Sequence, residues 1–159
     1  MIKPIVYIDM DGVIADFSKA IKTHSKSSLA SYQKDPDNIP GIFEHLELIP
    51  GAKEAIHHLH LSNRYDLFIL TTAPWDNPTA WMHKRLWIEK QFGEIFYKRV
   101  IITHRKDLLM GDYLIDDRTA NGAGNFKGAH LHFGWDYINN KFNTYPDWDA
   151  ILDYFMIHG

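Results

Sequence analysis

The sequence predicts an α/β fold, a doubly wound parallel sheet with a small helical cap inserted after its first strand. Two observations carry this expectation. Short apolar runs alternate with longer helical patterns along the chain, as a parallel sheet with crossover helices requires. The length, 159 residues, suits one domain with a real core and leaves room for a single short insertion.

The elements follow in order. Ile5–Ile8 is an apolar run too short for a helix and cut off by Asp9, hence a buried strand. Residues 17–48 break the rhythm. Their middle, 25–40, is rich in Ser, Lys, Asp and Pro, which suggests a small helical or irregular insertion acting as a lid. After Pro50-Gly51, a helix over Ala52–Leu61 places Ala52, Ala55, Ile56 and Leu59 on one face. Asp66–Thr71 is the second strand. Asn77-Pro78 reads as an N-cap followed by proline at the first helical position, opening a helix that stops at Gly93. Val100–Thr103, Tyr113–Ile115 and His130–Phe133 are three further strands, and residues 147–157 form a last amphipathic helix. The chain is therefore expected to be one domain over 1–159, with the cap at about 17–48.

Composition narrows the function classes. With 45% apolar and 23% charged residues, a disordered, collagen-like or coiled-coil chain is excluded. The absence of cysteine removes disulfides, thiolate metal sites and cysteine nucleophiles. A net charge of −3 gives no basic field for nucleic acid or anionic membrane. No stretch approaches the ~18 apolar residues of a membrane span, and Met-Ile-Lys-Pro runs straight into the first strand, so a cytoplasmic domain is expected.

The acids are placed unusually. Asp9 and Asp11 directly follow the first strand, and Asp116 and Asp117 directly follow the fourth. Strand C-termini of an open parallel sheet share one edge, where ligands bind. Neighbouring strands would therefore bring four acids to one point. Like charges at ~4 Å cost about 1 kcal/mol per pair in water and about 4 at an effective dielectric of 20. A compensating cation is implied, and an all-oxygen donor set points to Mg²⁺. Thr71, with Thr72 beside it, ends another strand, and Lys106 follows the third by a few residues. Acids, a hydroxyl, a lysine and a metal form a kit for phosphoryl transfer.

At these residues the chain resembles the haloacid dehalogenase-like hydrolases. Asp9-Met10-Asp11-Gly12-Val13, Thr71, Lys106 and Asp116-Asp117 stand in that family's order. Asp9 to Phe17, with Gly111 to Arg118, looks like the 5'(3')-deoxyribonucleotidase branch. The resemblance implies Asp9 as nucleophile forming an aspartyl-phosphate, and Asp11 as acid and then base. Thr71, Thr72 and Lys106 would hold the phosphate. Asp9, Asp11 (through its backbone carbonyl), Asp116 and Asp117 would hold Mg²⁺. The implied substrate is a small phosphomonoester, a nucleoside monophosphate, with Phe17 able to stack on the base. The short segment before Thr71 implies a reduced cap and an open site. A broader sugar or small-molecule phosphatase, or a 3'-phosphatase acting on nucleic-acid ends, is the alternative.

An EF-hand is excluded because Val13 takes a ligand position and Ile14 the place of the required glycine. A phosphorylated signalling receiver uses similar groups, but its acid pair comes first in the chain. His57 and His60 sit near a helix C-terminus, where cations are favourable without metal. His130 and His132 share a strand face and read as packing or solvent contact. The tryptophans are mostly expected in the core, Trp75 excepted, which is placed near the site mouth. Arg99, Arg105 and Lys106 cluster near one strand, which suits one phosphate better than a nucleic-acid track.

Overall fold

Strand β1 (Ile5–Ile8) is the middle strand of a five-stranded parallel sheet, in the computed structural model that describes residues 1–158. β2 (Asp66–Thr71) and β3 (Val100–Ile102) lie to one side of it, and β4 (Tyr113–Asp116) and β5 (Ala129–His132) to the other. The order is β3-β2-β1-β4-β5. The chain winds outward to one edge, returns, and continues on the far side of β1. The reversal leaves a crevice between β1 and β4, the place where doubly wound sheets bind ligands.

Alternate residues of β1 separate two apolar layers. Val6 and Ile8 join the larger one, with Ile56 and Leu59 of helix α3 (Ala52–Leu61), Trp87 and Ile88 of α4 (Pro78–Phe92), and Ile151 and Phe155 of α5 (Trp148–His158). Tyr7 joins a smaller one with Leu70, Leu114, Ala123 and Phe126. That second layer is closed by short 3₁₀ turns, Lys106–Leu108 and Ala123–Asn125, instead of by full helices. The doubly wound path holds, but the return half is wound economically. Helix α5 begins one residue later than expected because Asp147 is spent as its cap, its carboxylate accepting from the Ala150 N–H at 2.9 Å.

The stretch 17–48 contains two short helices, α1 (Phe17–Thr23) and α2 (Lys26–Ser31), and a 3₁₀ turn at Pro36–Asn38. Asp16 caps α1 by accepting from the Lys19 N–H at 3.0 Å. Helix α4 starts where the sequence places it, but Asn77 does not cap it. Its amide instead donates to the carbonyls of Asp37 and Ile39 at 2.8 and 3.0 Å, tying the inserted segment to the core. Proline at the first helical position removes one N–H that a cap would otherwise satisfy. Trp87 adds a second tie, its indole N–H donating to Leu46 O at 2.8 Å. A two-stranded hairpin, β6 (Trp135–Asp136) and β7 (Lys141–Phe142), follows β5 and was not foreseen.

Among the described residues no helix is long and apolar enough to cross a membrane. Trp87 and Trp148 are core residues as expected, whereas Trp81 and Trp135 are only half-buried.

Candidate active site

The pairing of β1 with β4 builds the centre. Ile8 lies opposite Ile115, so the following residues, Asp9 and Asp116, stand side by side where both strands end. Asp9 N–H donates to Ile115 O at 2.9 Å and fixes that step. Asp117 completes the group, and one carboxylate oxygen from each of the three acids lies within 4.8 Å of the others. Gly12 makes room for this. Its φ of +78° suits glycine, and a Cβ there would come within 2.3 Å of Asp117 Oδ2.

Lys106 supplies the first compensating charge. Its ammonium donates to Asp9 Oδ1 at 3.0 Å and to Asp116 Oδ2 at 2.6 Å. The lysine is 3% exposed, with Asp9 at 7% and Asp116 at 2%. Burial opposes its charge, but the attraction of Asp9 and Asp116 outweighs burial and raises the Lys106 pKa. The turn that delivers it is held by the Lys106 N–H donating to Asn121 O at 2.8 Å. Gly122, with φ +84°, lets that loop close in, since a Cβ there would meet Asp107 Oδ1 at 2.3 Å.

One cation does not neutralise three acids. Burial first, and then the Asp9 charge, push Asp116 upward against the pull of Lys106. Burial and the charges of Asp9 and Asp116 push Asp117 up further. Asp117 Oδ1 is buried without a hydrogen-bond partner. Three convergent carboxylates with an unsatisfied oxygen fit a hard dication of the Mg²⁺ type.

Asp11 faces elsewhere. Its Oδ2 accepts from the ammonium of Lys84 at 2.6 Å, and its Oδ1 is buried without a partner. Its carboxylate lies outside the three-acid group. Lys84 is 0% exposed and also donates to Thr71 Oγ1 at 3.0 Å. This lysine escaped the sequence reading. Its one signal is the stripe Ala80, Lys84, Trp87, Ile88, in which a lysine occupies a core-facing position of α4.

A cavity of about 420 Å³ opens over these groups, lined among others by Asp9, Asp11, Phe17, Lys106 and Asp117. Phe17 reaches it while its ring stacks on Phe43, centroids 5.0 Å apart and planes 6° from parallel. Thr71 is buried beneath the cavity and engaged by Lys84, whereas Thr72 lines the cavity and donates its hydroxyl to Thr103 O at 2.7 Å. Trp75 is 76% exposed and packs edge-on to His104, which lines the cavity mouth.

Two expectations change. Arg99 pairs with Asp66, and Arg105 with Asp107, so of that basic trio only Lys106 enters the site. His130 and His132 do more than pack, their Nε2 atoms lying 3.2 and 3.1 Å from the backbone carbonyls of Asp116 and Asp117. Since a carbonyl only accepts, each ring presents an N–H there and steadies the acid pair from β5. Neither joins the acids in a ligand group, and His57 and His60 lie exposed on α3.

The doubly wound sheet, with acids at the ends of β1 and β4, is similar to the haloacid dehalogenase-like fold. A haloacid dehalogenase-like family hydrolase from Xanthomonas campestris superposes with a TM-score of 0.55 at 14% identity, over 95% of this chain and 91% of that one. A hydrolase of the same description from Streptococcus pneumoniae gives 0.55 at 15% identity, over 96% and 90%. Identities so low bear on the fold alone.

Sequence comparison is more specific: the chain belongs to the family described as 5' nucleotidase, deoxy (pyrimidine), cytosolic type C, which matches residues 21–154. That match takes in Thr71, Lys84, Lys106, Asp116 and Asp117 and begins downstream of Asp9 and Asp11. A Vibrio phage KVP40 protein with the provisional name 5'(3')-deoxyribonucleotidase is 47% identical over 152 residues, 96% of this chain and 84% of its own length. The human 5'(3')-deoxyribonucleotidase, cytosolic type, is 29% identical over 160 residues, 84% of this chain and 77% of its length.

Proposed function

We propose that the protein is a Mg²⁺-dependent phosphomonoesterase of the 5'(3')-deoxyribonucleotidase type that removes phosphate from nucleoside monophosphates; the names of its relatives support the nucleotidase part. One observation carries the chemistry: the buried Asp9 stands beside Asp116 with Lys106 bridging the two at the open end of the sheet.

Asp9 is the nucleophile. One of its oxygens bonds to phosphorus while the ester P–O bond breaks, which gives an aspartyl-phosphate and a leaving alkoxide. Asp11 gives that alkoxide a proton, then takes one from the water that attacks phosphorus and releases Asp9. Lys106 offsets the charge that develops on the phosphoryl oxygens. Asp9, Asp116 and Asp117, with the Asp11 carbonyl, would hold Mg²⁺, which supplies further positive charge against those oxygens. Thr71 and Thr72 flank the phosphate position, and Phe17 offers a ring face to the base.

The segment 17–48 serves as the cap. Its helices of seven and six residues make a small lid, so base and sugar selection rests on few contacts. The site takes one small phosphate ester, and a cytoplasmic setting accords with the name of the human relative.

The test is phosphate release from a panel of 5'- and 3'-nucleotides and sugar phosphates, with and without Mg²⁺, beside Asp9→Asn. Metal-dependent release from nucleotides, abolished in Asp9→Asn, is expected. No release from wild type, or full activity in Asp9→Asn, would sink the reading. A preference for sugar phosphates would keep the chemistry and overturn the substrate class.

A further inference from the structure

Lys84 is the feature of the site that the proposed chemistry leaves without work. It sits in the apolar stripe of α4, 0% exposed, where an unpaired ammonium would be costly. Its ammonium donates to Asp11 Oδ2 at 2.6 Å and Thr71 Oγ1 at 3.0 Å, and lies 4.8 Å from the centroid of the Phe43 ring. Fully buried, it is absent from the cavity lining and so offers substrate no contact of its own. The two oxygens of Asp11 are correspondingly unequal, because Oδ2 is held by Lys84 and the buried Oδ1 has no partner.

We infer that Lys84 is a positioning residue for Asp11, holding its carboxylate through Oδ2 in the one orientation in which it exchanges protons with the leaving group and the attacking water. This rests on the phosphoryl-transfer reading of the site.

A positioning role has a signature that general damage lacks. Loss of the clamp hurts an ester whose alkoxide must be protonated and spares one whose leaving group departs unaided. In Lys84→Met, kcat/KM for a nucleoside monophosphate should fall by about 10²-fold or more, while kcat/KM for p-nitrophenyl phosphate stays within about threefold. An equal fall for both esters would mean that Lys84 acts on the phosphate or only on the fold, and would overturn the inference, as would no fall for either.

A second comparison decides independently and covers the case in which Lys84→Met alone does not fold. Adding Asp11→Asn removes the unpaired charge. If Lys84 works through Asp11, the double variant cleaves the nucleotide no more slowly than Asp11→Asn alone. A further large loss in the double variant contradicts the clamp. Failure of the phosphoryl-transfer reading looks different, since wild type would then release no phosphate from any ester.

Discussion

Burial and the Asp9 charge hold Asp116 above the ordinary carboxylate range, and burial with the charges of Asp9 and Asp116 holds Asp117 above it. The sign of the consequence is fixed. Between about pH 4, where free carboxyls titrate, and the raised folded values, the native state binds more protons than the unfolded chain. Stability therefore falls as pH rises through that window. In chelator, the melting temperature should be higher near about pH 5 than near about pH 8.5. Mg²⁺ should reverse the trend, raising the melting temperature most at the alkaline end, because the ion takes the place of protons. Melting curves at the two pH values, with and without the ion, check this; a metal effect that is flat in pH would contradict it. At this scale the sequence was informative wherever an acid or a lysine stands next to a strand end, as Asp9, Lys106 and Asp116-Asp117 do. Lys84 was not legible, because a lysine in mid-helix ordinarily reads as a solvated residue, and its partners Asp11 and Thr71 lie 73 and 13 positions away. His130 and His132 were missed for another reason: they bind main-chain carbonyls, which leave no trace in residue type.

Helix α4 links the inserted segment to the catalytic sheet. Asn77, at its start, is buried and donates to two carbonyls of residues 37 and 39. Asn77→Ala deletes both bonds and leaves buried acceptors unpaired, at a cost of about 1–3 kcal/mol. The loss should appear as a lower denaturation midpoint together with faster proteolysis within residues 26–40, while phosphate release at saturating substrate changes less. A uniform loss of stability with unchanged cleavage of that segment would contradict the tie. The long elements were readable because their boundaries carry punctuation, such as Pro78 at one end of α4 and Gly93 at the other. The hairpin β6–β7 was not, since strands of two residues have no periodicity to show. It is organised by the Asp136 carboxylate, which accepts from the N–H groups of Ile138 and Asn139 in the turn, and by Trp135 edge-on to Phe142 with centroids 4.8 Å apart.

For the whole molecule, the decisive fact is the position of β1 between β2 and β4. Apolar runs identify strands without ordering them, so the sequence could place acids at strand ends but could not make those strands neighbours. The register, with Ile8 opposite Ile115, turns two separate motifs into one buried site. The closing of the second sheet face by 3₁₀ turns was equally hidden, because turns so short resemble ordinary loops in sequence. The proposed chemistry requires an oxygen of Asp9 to form the first new bond to phosphorus. Rapid acid quench of the working enzyme with a nucleoside monophosphate, followed by peptide mass spectrometry, tests this directly. A phosphoryl group on the peptide that carries Asp9, absent from Asp9→Asn, is the predicted result. Steady phosphate release with no phosphoenzyme under any quench time, or a phosphoryl group on a different residue, would contradict it.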